Sequence, residues 1–215
     1  MRRVFSCRCK FFCLCYRAAK SGQGVIMPTE ELGKRDRVRG RLLESLPKGG
    51  VVAEIGVWEG DFSQRILDIC SPTELHLIDP WLYMPEFPNT GFGKKKNETL
   101  MEGRYQNVVA RFANDPRVKI HRALSDVALA GFPDSFFDWV YIDGNHNEPV
   151  ISKDLALSLQ KVKPNGIIAG DDFHWMSDAQ AAPVKRAVEA MLATLGQMAS
   201  LRLMANQYTI TLARA

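Results

Sequence analysis

The chain has 215 residues, of which 46% are hydrophobic and 24% are charged. These values fit one globular domain with a sizeable core and exclude a disordered chain. No apolar run approaches the roughly 20 residues of a membrane span. The formal charge of +4 comes from residues 1–26, which hold six of the 28 basic residues and no acidic one. The rest of the chain has 22 basic and 24 acidic residues. The body therefore lacks the basic excess that would attract nucleic acid or a membrane surface.

The first 26 residues differ from the rest in cysteine content as well. Four of the five cysteines lie there, at positions 7, 9, 13 and 15. Two C-x-C pairs could bind a soft metal, but no glycine or proline between them would arrange the ligands. We predict that residues 1–26 lie outside the mature fold, with Met27 as an alternative start, and that residues 27–215 form the domain. Because the body contains only Cys70, we expect no disulfide framework and a reducing, cytoplasmic location.

Strand-like and helix-like patterns alternate along the body. In chain order, the predicted elements are a helix over 29–46, a strand over 51–57, a helix that ends at residue 70, a strand over 75–78, an irregular aromatic loop over 80–96, a helix over 98–113, a strand over 118–121, a helical turn over 125–130, a strand over 136–142, a helix over 151–162, a strand over 167–169, a helix over 180–195, and strands over 201–204 and 208–212. This order predicts a Rossmann-like α/β fold with a mostly parallel sheet, helices on both faces and a C-terminal antiparallel hairpin.

The first strand-to-helix turn is the first candidate site. It runs from Glu54 through Gly56 and Gly60 to Ser63. Glycines allow the backbone to pass close to a ligand at a helix N-terminus. The turn lacks the third glycine of a dinucleotide fingerprint, and a carboxylate beside it suits a cationic ligand better than a phosphate. These four residues are therefore candidate cofactor contacts.

Three further candidate contacts follow the next two strands. Asp79 ends the second strand, where α/β folds commonly bind ribose hydroxyls; an Asp-Pro turn is the alternative explanation. Ser125 and Asp126 follow the third strand, where the edge of an adenine ring could be bound. A helix N-cap explains these two residues about as well.

An acidic cluster is the most specific feature of the sequence. Asp143 ends one predicted strand, and Asp171 with Asp172 ends the next, so the three carboxylates should converge. Carboxylates so close together repel one another unless a cation binds them, and Mg²⁺ prefers such oxygen ligands. Turn formation at Asp143 and helix capping at Asp172 are the structural alternatives. His146 lies within reach of the same cluster and is a candidate general base.

Four segments together resemble class I S-adenosylmethionine-dependent methyltransferases, in particular the branch with the metal-dependent macrolide-sugar and aminocoumarin-sugar O-methyltransferases. They are residues 53–63 (AEIGVWEGDFS), 77–81 (LIDPW), 141–146 (YIDGNH) and 170–173 (GDDF). The resemblance spans roughly residues 30–175. It implies a seven-stranded fold with S-adenosylmethionine over Gly56, Asp79 and Ser125–Asp126. It also implies Mg²⁺ on Asp143, Asp171 and Asp172, and His146 as general base, with Asp143 at both the catalytic and cofactor sites.

The sequence departs from the family pattern at two places. Glu148-Pro149 replaces a tyrosine expected after His146, and Trp58 stands where many members have a third glycine. The first departure concerns the acceptor side of the site, which the loop over 80–96 is also expected to cover. We expect a small-molecule acceptor and no nucleic-acid or membrane partner, with a homo-oligomer left open. A metal-independent methyltransferase and a non-catalytic nucleotide-binding module are the alternative functions.

Overall fold

The computed structural model describes residues 33–176 and 181–213. The N-terminal segment 1–26 and residues 29–32 of the first predicted helix lie outside them. Six α-helices, two 3₁₀ helices and seven strands are described. In chain order they are α1 (Lys34–Ser45), β1 (Val51–Ile55), α2 (Asp61–Cys70), β2 (Glu74–Ile78), a 3₁₀ helix (Lys95–Leu100), α3 (Met101–Phe112), β3 (Val118–His121), α4 (Ser125–Ala130), β4 (Phe137–Ile142), α5 (Val150–Lys161), β5 (Val162–Gly170), α6 (Pro183–Leu195), a second 3₁₀ helix (Gly196–Met198), β6 (Ala199–Met204) and β7 (Gln207–Leu212).

The seven strands form one sheet in the order β3-β2-β1-β4-β5-β7-β6. Strands β1 to β5 pair in parallel, whereas β7 pairs antiparallel with both β5 and β6. The predicted mostly parallel sheet with a C-terminal antiparallel hairpin is thus confirmed. The strand order reverses between β1 and β4, and sheets of this kind bind ligands at that point, beyond the carboxyl ends of the strands.

Both faces of the sheet are covered by helices, as predicted. Alternate residues of a buried strand point to opposite faces, so β1 sends Val52 into one core and Ala53 into the other. Side chains from α1, α2 and α3 complete the first core, which contains Leu42, Phe62, Val108 and Phe112. Side chains from α4, α5 and α6 complete the second, which contains Leu129, Ile151, Leu155 and Val184.

Three predicted boundaries were wrong. The strand over 51–57 ends at Ile55, because Gly56 adopts a φ of +88° that a strand does not accommodate. The helix over 98–113 begins as the 3₁₀ helix Lys95–Leu100 and becomes α-helical only at Met101. The strand predicted over 167–169 begins already at Val162 as β5: its register with β4 slips between Val162 and Ile167, and Asn165 adopts a φ of +68°. The bulge, rather than a loop, absorbs the turn-forming residues.

Across the described ranges, no helix combines the length and the apolar character needed to cross a bilayer. Cys70 is a buried free thiol at the end of α2.

Candidate functional site

The first strand-to-helix turn passes directly over the end of β4. A Cβ added to Gly56 would lie 2.3 Å from the backbone oxygen of Asp143, and the φ of +88° also excludes most side chains. Gly60, the N-cap of α2, has a φ of +79° and packs against the ring of Phe112. The backbone conformation therefore requires glycine at both positions. Gly56 also lets the turn lie directly against Asp143, the first residue of the acidic cluster.

Glu54 and Ser63 lie close together but behind the turn. The Ser63 hydroxyl donates a hydrogen bond of 2.5 Å to Glu54 Oε2, and both residues are buried. Burial raises the pKa of Glu54 to about 8, against the hydrogen bond from Ser63, which lowers it. Neither residue lines the cavity described below. Direct contact with a cofactor stays a prediction for both, as it does for Gly60.

Asp79 connects β2 to the first turn. Its Oδ2 accepts hydrogen bonds from the backbone N–H groups of Val57 at 2.9 Å and Trp58 at 3.0 Å, and its Oδ1 accepts one from Trp81 at 2.7 Å. Burial raises the pKa of Asp79, and these three bonds oppose that rise. The carboxylate thus holds the turn in place and also faces the cavity, so both explanations offered for Asp79 have support.

A cavity of about 260 Å³ lies over the carboxyl ends of β1, β2 and β4. Predicted cofactor residues Gly56, Asp79, Ser125 and Asp143 line it together, whereas Asp126 does not. The aromatic loop over 80–96 forms the opposite wall. Its buried Trp81 donates a hydrogen bond of 2.8 Å from Nε1 to the backbone oxygen of Trp58. The loop therefore covers this cavity, and its predicted role on the acceptor side stays a prediction.

The residues after β3 contact α5. The Ser125 hydroxyl donates a hydrogen bond of 2.5 Å to Asp154 Oδ1, while Asp126 accepts one from the backbone of Val127. Asp154 is buried, lines the cavity and was not singled out from the sequence. Burial raises its pKa to about 7. Asp154 lies on the buried face of α5 that also carries Ile151 and Leu155. A charged residue within such an apolar stripe is unusual, and this was the sequence signal that could have identified Asp154.

The predicted acidic cluster forms where β4 and β5 end side by side. Ligand atoms of Asp143, His146 and Asp172 all lie within 4.8 Å of one another, which is compatible with one metal ion. His146 Nε2 is 2.9 Å from Asp172 Oδ2 and 3.7 Å from Asp143 Oδ1. Asp171, the third predicted metal ligand, lies outside this group of three.

Two arginines of α1 explain the difference at Asp171. Arg39 contacts Asp143 and donates to Asp171 Oδ2 from Nε at 2.9 Å, and Arg35 also donates to Asp171 from Nε at 2.9 Å. Arg39 is mostly buried, whereas 56% of the Arg35 side chain is exposed. Arg35 also lies 3.5 Å from Asp172. Sequence reasoning missed both arginines; their i, i+4 spacing was visible, but nothing local indicated that α1 would lie over the ends of β4 and β5.

The carboxylates control the protonation of His146. Burial acts to lower its pKa, but the hydrogen bond to Asp172 and the charges of Asp143 and Asp171 outweigh it and raise the pKa above its ordinary value. For Asp172, burial acts to raise the pKa, and His146 and the arginines bring it below its ordinary value. Burial raises the pKa of Asp143 despite Arg39. His146 is consequently a stronger proton acceptor than an exposed histidine.

The fold and the site together define a class of protein. A doubly wound sheet, a glycine turn braced by an aspartate, and a cavity at the reversal of strand order are features of α/β proteins that bind a nucleotide-containing cofactor. The profile of the family described as "Methyltransferase domain" matches residues 53–173, more than half of the chain. The protein belongs to this methyltransferase family, and membership implies S-adenosylmethionine as the cofactor. The predicted resemblance to class I S-adenosylmethionine-dependent methyltransferases is thereby confirmed.

Solved structures share the fold at low sequence identity. They include a Corynebacterium glutamicum protein (15% identity, 84% of this chain and 82% of that one, TM-score 0.57), the O-methyltransferase NovP (18%, 84% and 78%, 0.57) and a precorrin-6y C5,15-methyltransferase from Geobacter metallireducens (17%, 88% and 94%, 0.55). No curated protein matches the sequence. Identities this low establish the common fold alone.

Proposed function

We propose that the protein transfers the methyl group of S-adenosylmethionine to a hydroxyl group of a small molecule, assisted by a divalent cation and by His146 as general base. The observation that carries this proposal is the convergence of Asp143, His146 and Asp172 beside the cofactor cavity, which Asp143 also lines. An alcohol is a weak nucleophile, so its proton must leave as the methyl group is transferred. The cluster supplies the groups that such a proton transfer requires.

The donor set fits a hard divalent cation such as Mg²⁺. Asp143 and Asp172 would hold it through carboxylate oxygens, with His146 close enough to join them or to remain free as the base. A bound cation lowers the pKa of a coordinated hydroxyl group. Asp171 is already engaged by Arg35 and Arg39, so its contribution would be to fix α1 over the site.

His146 is well placed to receive the proton. Its Nε2 faces Asp143 and Asp172, and its ring is held edge-on to Trp175 at 5.7 Å between centroids. Its Nδ1 is buried and makes no hydrogen bond to a described residue. The side chain is therefore oriented by packing and by its contact with Asp172.

A second cavity supports the proposal of a small-molecule acceptor. It measures about 490 Å³ and is bordered by Arg35, Asp171, Asp172 and Gln207. Asp172 belongs to both this cavity and the acidic cluster, and the volume suits a small molecule rather than a polymer.

Metal-independent transfer is a second candidate, favoured by the same arginines. The guanidinium groups of Arg35 and Arg39 neutralise two of the three carboxylate charges. A protonated His146 beside Asp172 would neutralise the third without a metal ion. Transfer would then depend on the positioning of the two substrates.

Calorimetry and turnover assays separate these functions. We expect S-adenosylhomocysteine to bind the wild type, and a panel of sugars, phenols and alcohols to yield a methylated product that disappears with chelator. Asp172→Asn and His146→Gln should abolish turnover and spare cofactor affinity, whereas Asp68→Asn, on the exposed face of α2, should change neither. Full activity in chelator would favour the metal-independent function, and cofactor binding without transfer to any acceptor would indicate a non-catalytic module.

A further inference from the structure

Asp154 carries a buried oxygen atom that the fold leaves without a partner. The side chain lies on α5 and is 1% exposed. Its Oδ1 accepts the hydrogen bond from Ser125, but its Oδ2 makes no hydrogen bond to any residue in the described ranges. A buried carboxylate oxygen without a donor is costly and is therefore uncommon in proteins. A ligand that supplies the donor would remove this cost.

The surroundings of Asp154 indicate where the donor would come from. Asp154 lines the cavity together with its hydrogen-bond partner Ser125 and with apolar Ile78 and Val150. Gly144 has no side chain to cover it: a Cβ placed there would lie 4.0 Å from Oδ2. An oxygen in a slot with apolar walls suits a flat ring that carries one N–H donor at its edge.

The polar residues predicted to bind the base or the ribose are engaged within the protein or lie outside the cavity. The Ser125 hydroxyl, expected from the sequence to contact the adenine edge, donates its hydrogen bond to Asp154. Asp79, the candidate for the ribose, follows β2 and binds the first turn. Asp126 does not line the cavity. Among the described residues that line the cavity, Asp154 Oδ2 is the one buried side-chain polar atom without a hydrogen-bond partner.

We propose that Asp154 recognises the adenine base of the cofactor, with Oδ2 accepting a hydrogen bond from the exocyclic amino group. The assignment rests on the proposed function, because it requires an adenosyl cofactor in this cavity. The carboxylate can only accept, and the amino group is the only N–H donor on the adenine ring edge. Ser125 holds the carboxyl group in this orientation and acts as a positioning residue.

The test pairs a change in the protein with a change in the ligand. Calorimetry at pH 8, above the raised pKa of Asp154, would compare S-adenosylhomocysteine with its analogue lacking the 6-amino group. We expect the wild type to prefer the amino-bearing ligand by about 10- to 100-fold, the range for a hydrogen bond to a charged group. Asp154→Asn and Asp154→Ala should reduce this preference to within about threefold.

Ser158→Ala is the matched control. Ser158 lies one turn further along α5, is fully buried and also has a hydroxyl without a described partner, but does not line the cavity. This variant should keep the wild-type preference. A thermal melt without ligand adds a second readout: Asp154→Asn should raise the melting temperature and shrink the increase produced by S-adenosylhomocysteine. A purely structural Asp154 would give a lower melting temperature instead.

Each outcome is decisive. Equal affinity of the wild type for the two ligands would overturn the assignment, as would an undiminished preference in the Asp154 variants. A wild type that binds neither ligand would refute the proposed cofactor, and with it the function, rather than the role of Asp154 alone. If Asp154→Ala fails to fold, the wild type and Asp154→Asn still decide the question.

Discussion

Replacing Glu54 by glutamine should make the protein more stable, and increasingly so as the pH rises. Glu54 is buried, and its pKa rises from an ordinary 4.5 to about 8 in the folded protein. Since the unfolded chain releases this proton near pH 4.5, the contribution of Glu54 to stability is fully present below that pH. It is lost as the pH rises towards 8. At about 1.36 kcal/mol per pKa unit, the loss between pH 5 and pH 9 is about 4 kcal/mol.

Urea denaturation of the wild type and of Glu54→Gln at both pH values measures this loss directly. The two proteins should differ little at pH 5, where Glu54 is protonated when folded and the glutamine still accepts the Ser63 hydrogen bond. At pH 9 the variant should exceed the wild type by several kcal/mol. Glu44→Gln, on an exposed position of α1, should show no such dependence on pH. A stability difference between Glu54→Gln and the wild type that stays constant from pH 5 to pH 9 would refute the reasoning.

Two further variants test the backbone turn and the arginine pairing. Gly56→Ala should lower the free energy of unfolding by about 3 kcal/mol, because the added Cβ would collide with the backbone of Asp143 and alanine is strained at this positive φ. A free energy of unfolding equal to that of the wild type, measured by equilibrium denaturation, would contradict this. Arg39→Gln leaves Asp143 and Asp171 with less compensation and should cost about 3 kcal/mol. Added Mg²⁺ should recover part of the decrease in melting temperature that this variant shows. A variant that melts at the wild-type temperature without Mg²⁺ would show that the pairing of Arg39 with the two aspartates is unimportant for stability.

The features that could be predicted from the sequence depend on strand order alone. Asp143 and Asp171 converge because the strands before them are parallel neighbours, and regular alternation of strands and helices predicts that arrangement. The same reasoning placed Gly56, Asp79 and Ser125 around one cavity. Each of these residues follows a strand within four positions, so its placement required no knowledge of side-chain packing.

The features that could not be predicted depend on contacts between distant elements. Arg35 and Arg39 precede the sheet, and their pairing with Asp171 depends on how α1 packs, which no local pattern determines. Asp154 lies within an apolar helix face, where its burial depends on the packing of α5. Residues 163–166 have the composition of a turn, and they form a bulge inside β5 because Val162 and Ile167 on either side of them both pair with β4.

The position of β7 has a consequence for synthesis of the chain. This strand, residues 207–212, is made after the other six described strands, yet it lies inside the sheet between β5 and β6. A nascent chain that has reached α6 has the strands β1 to β5 and the residues that line the cavity over β1, β2 and β4, but β5 still lacks its antiparallel neighbour. Such an open edge can recruit a strand from another molecule. The pairing of Gly170 with Tyr208 closes that edge beside Asp171, so β7 both protects the sheet and completes the wall behind the acidic cluster.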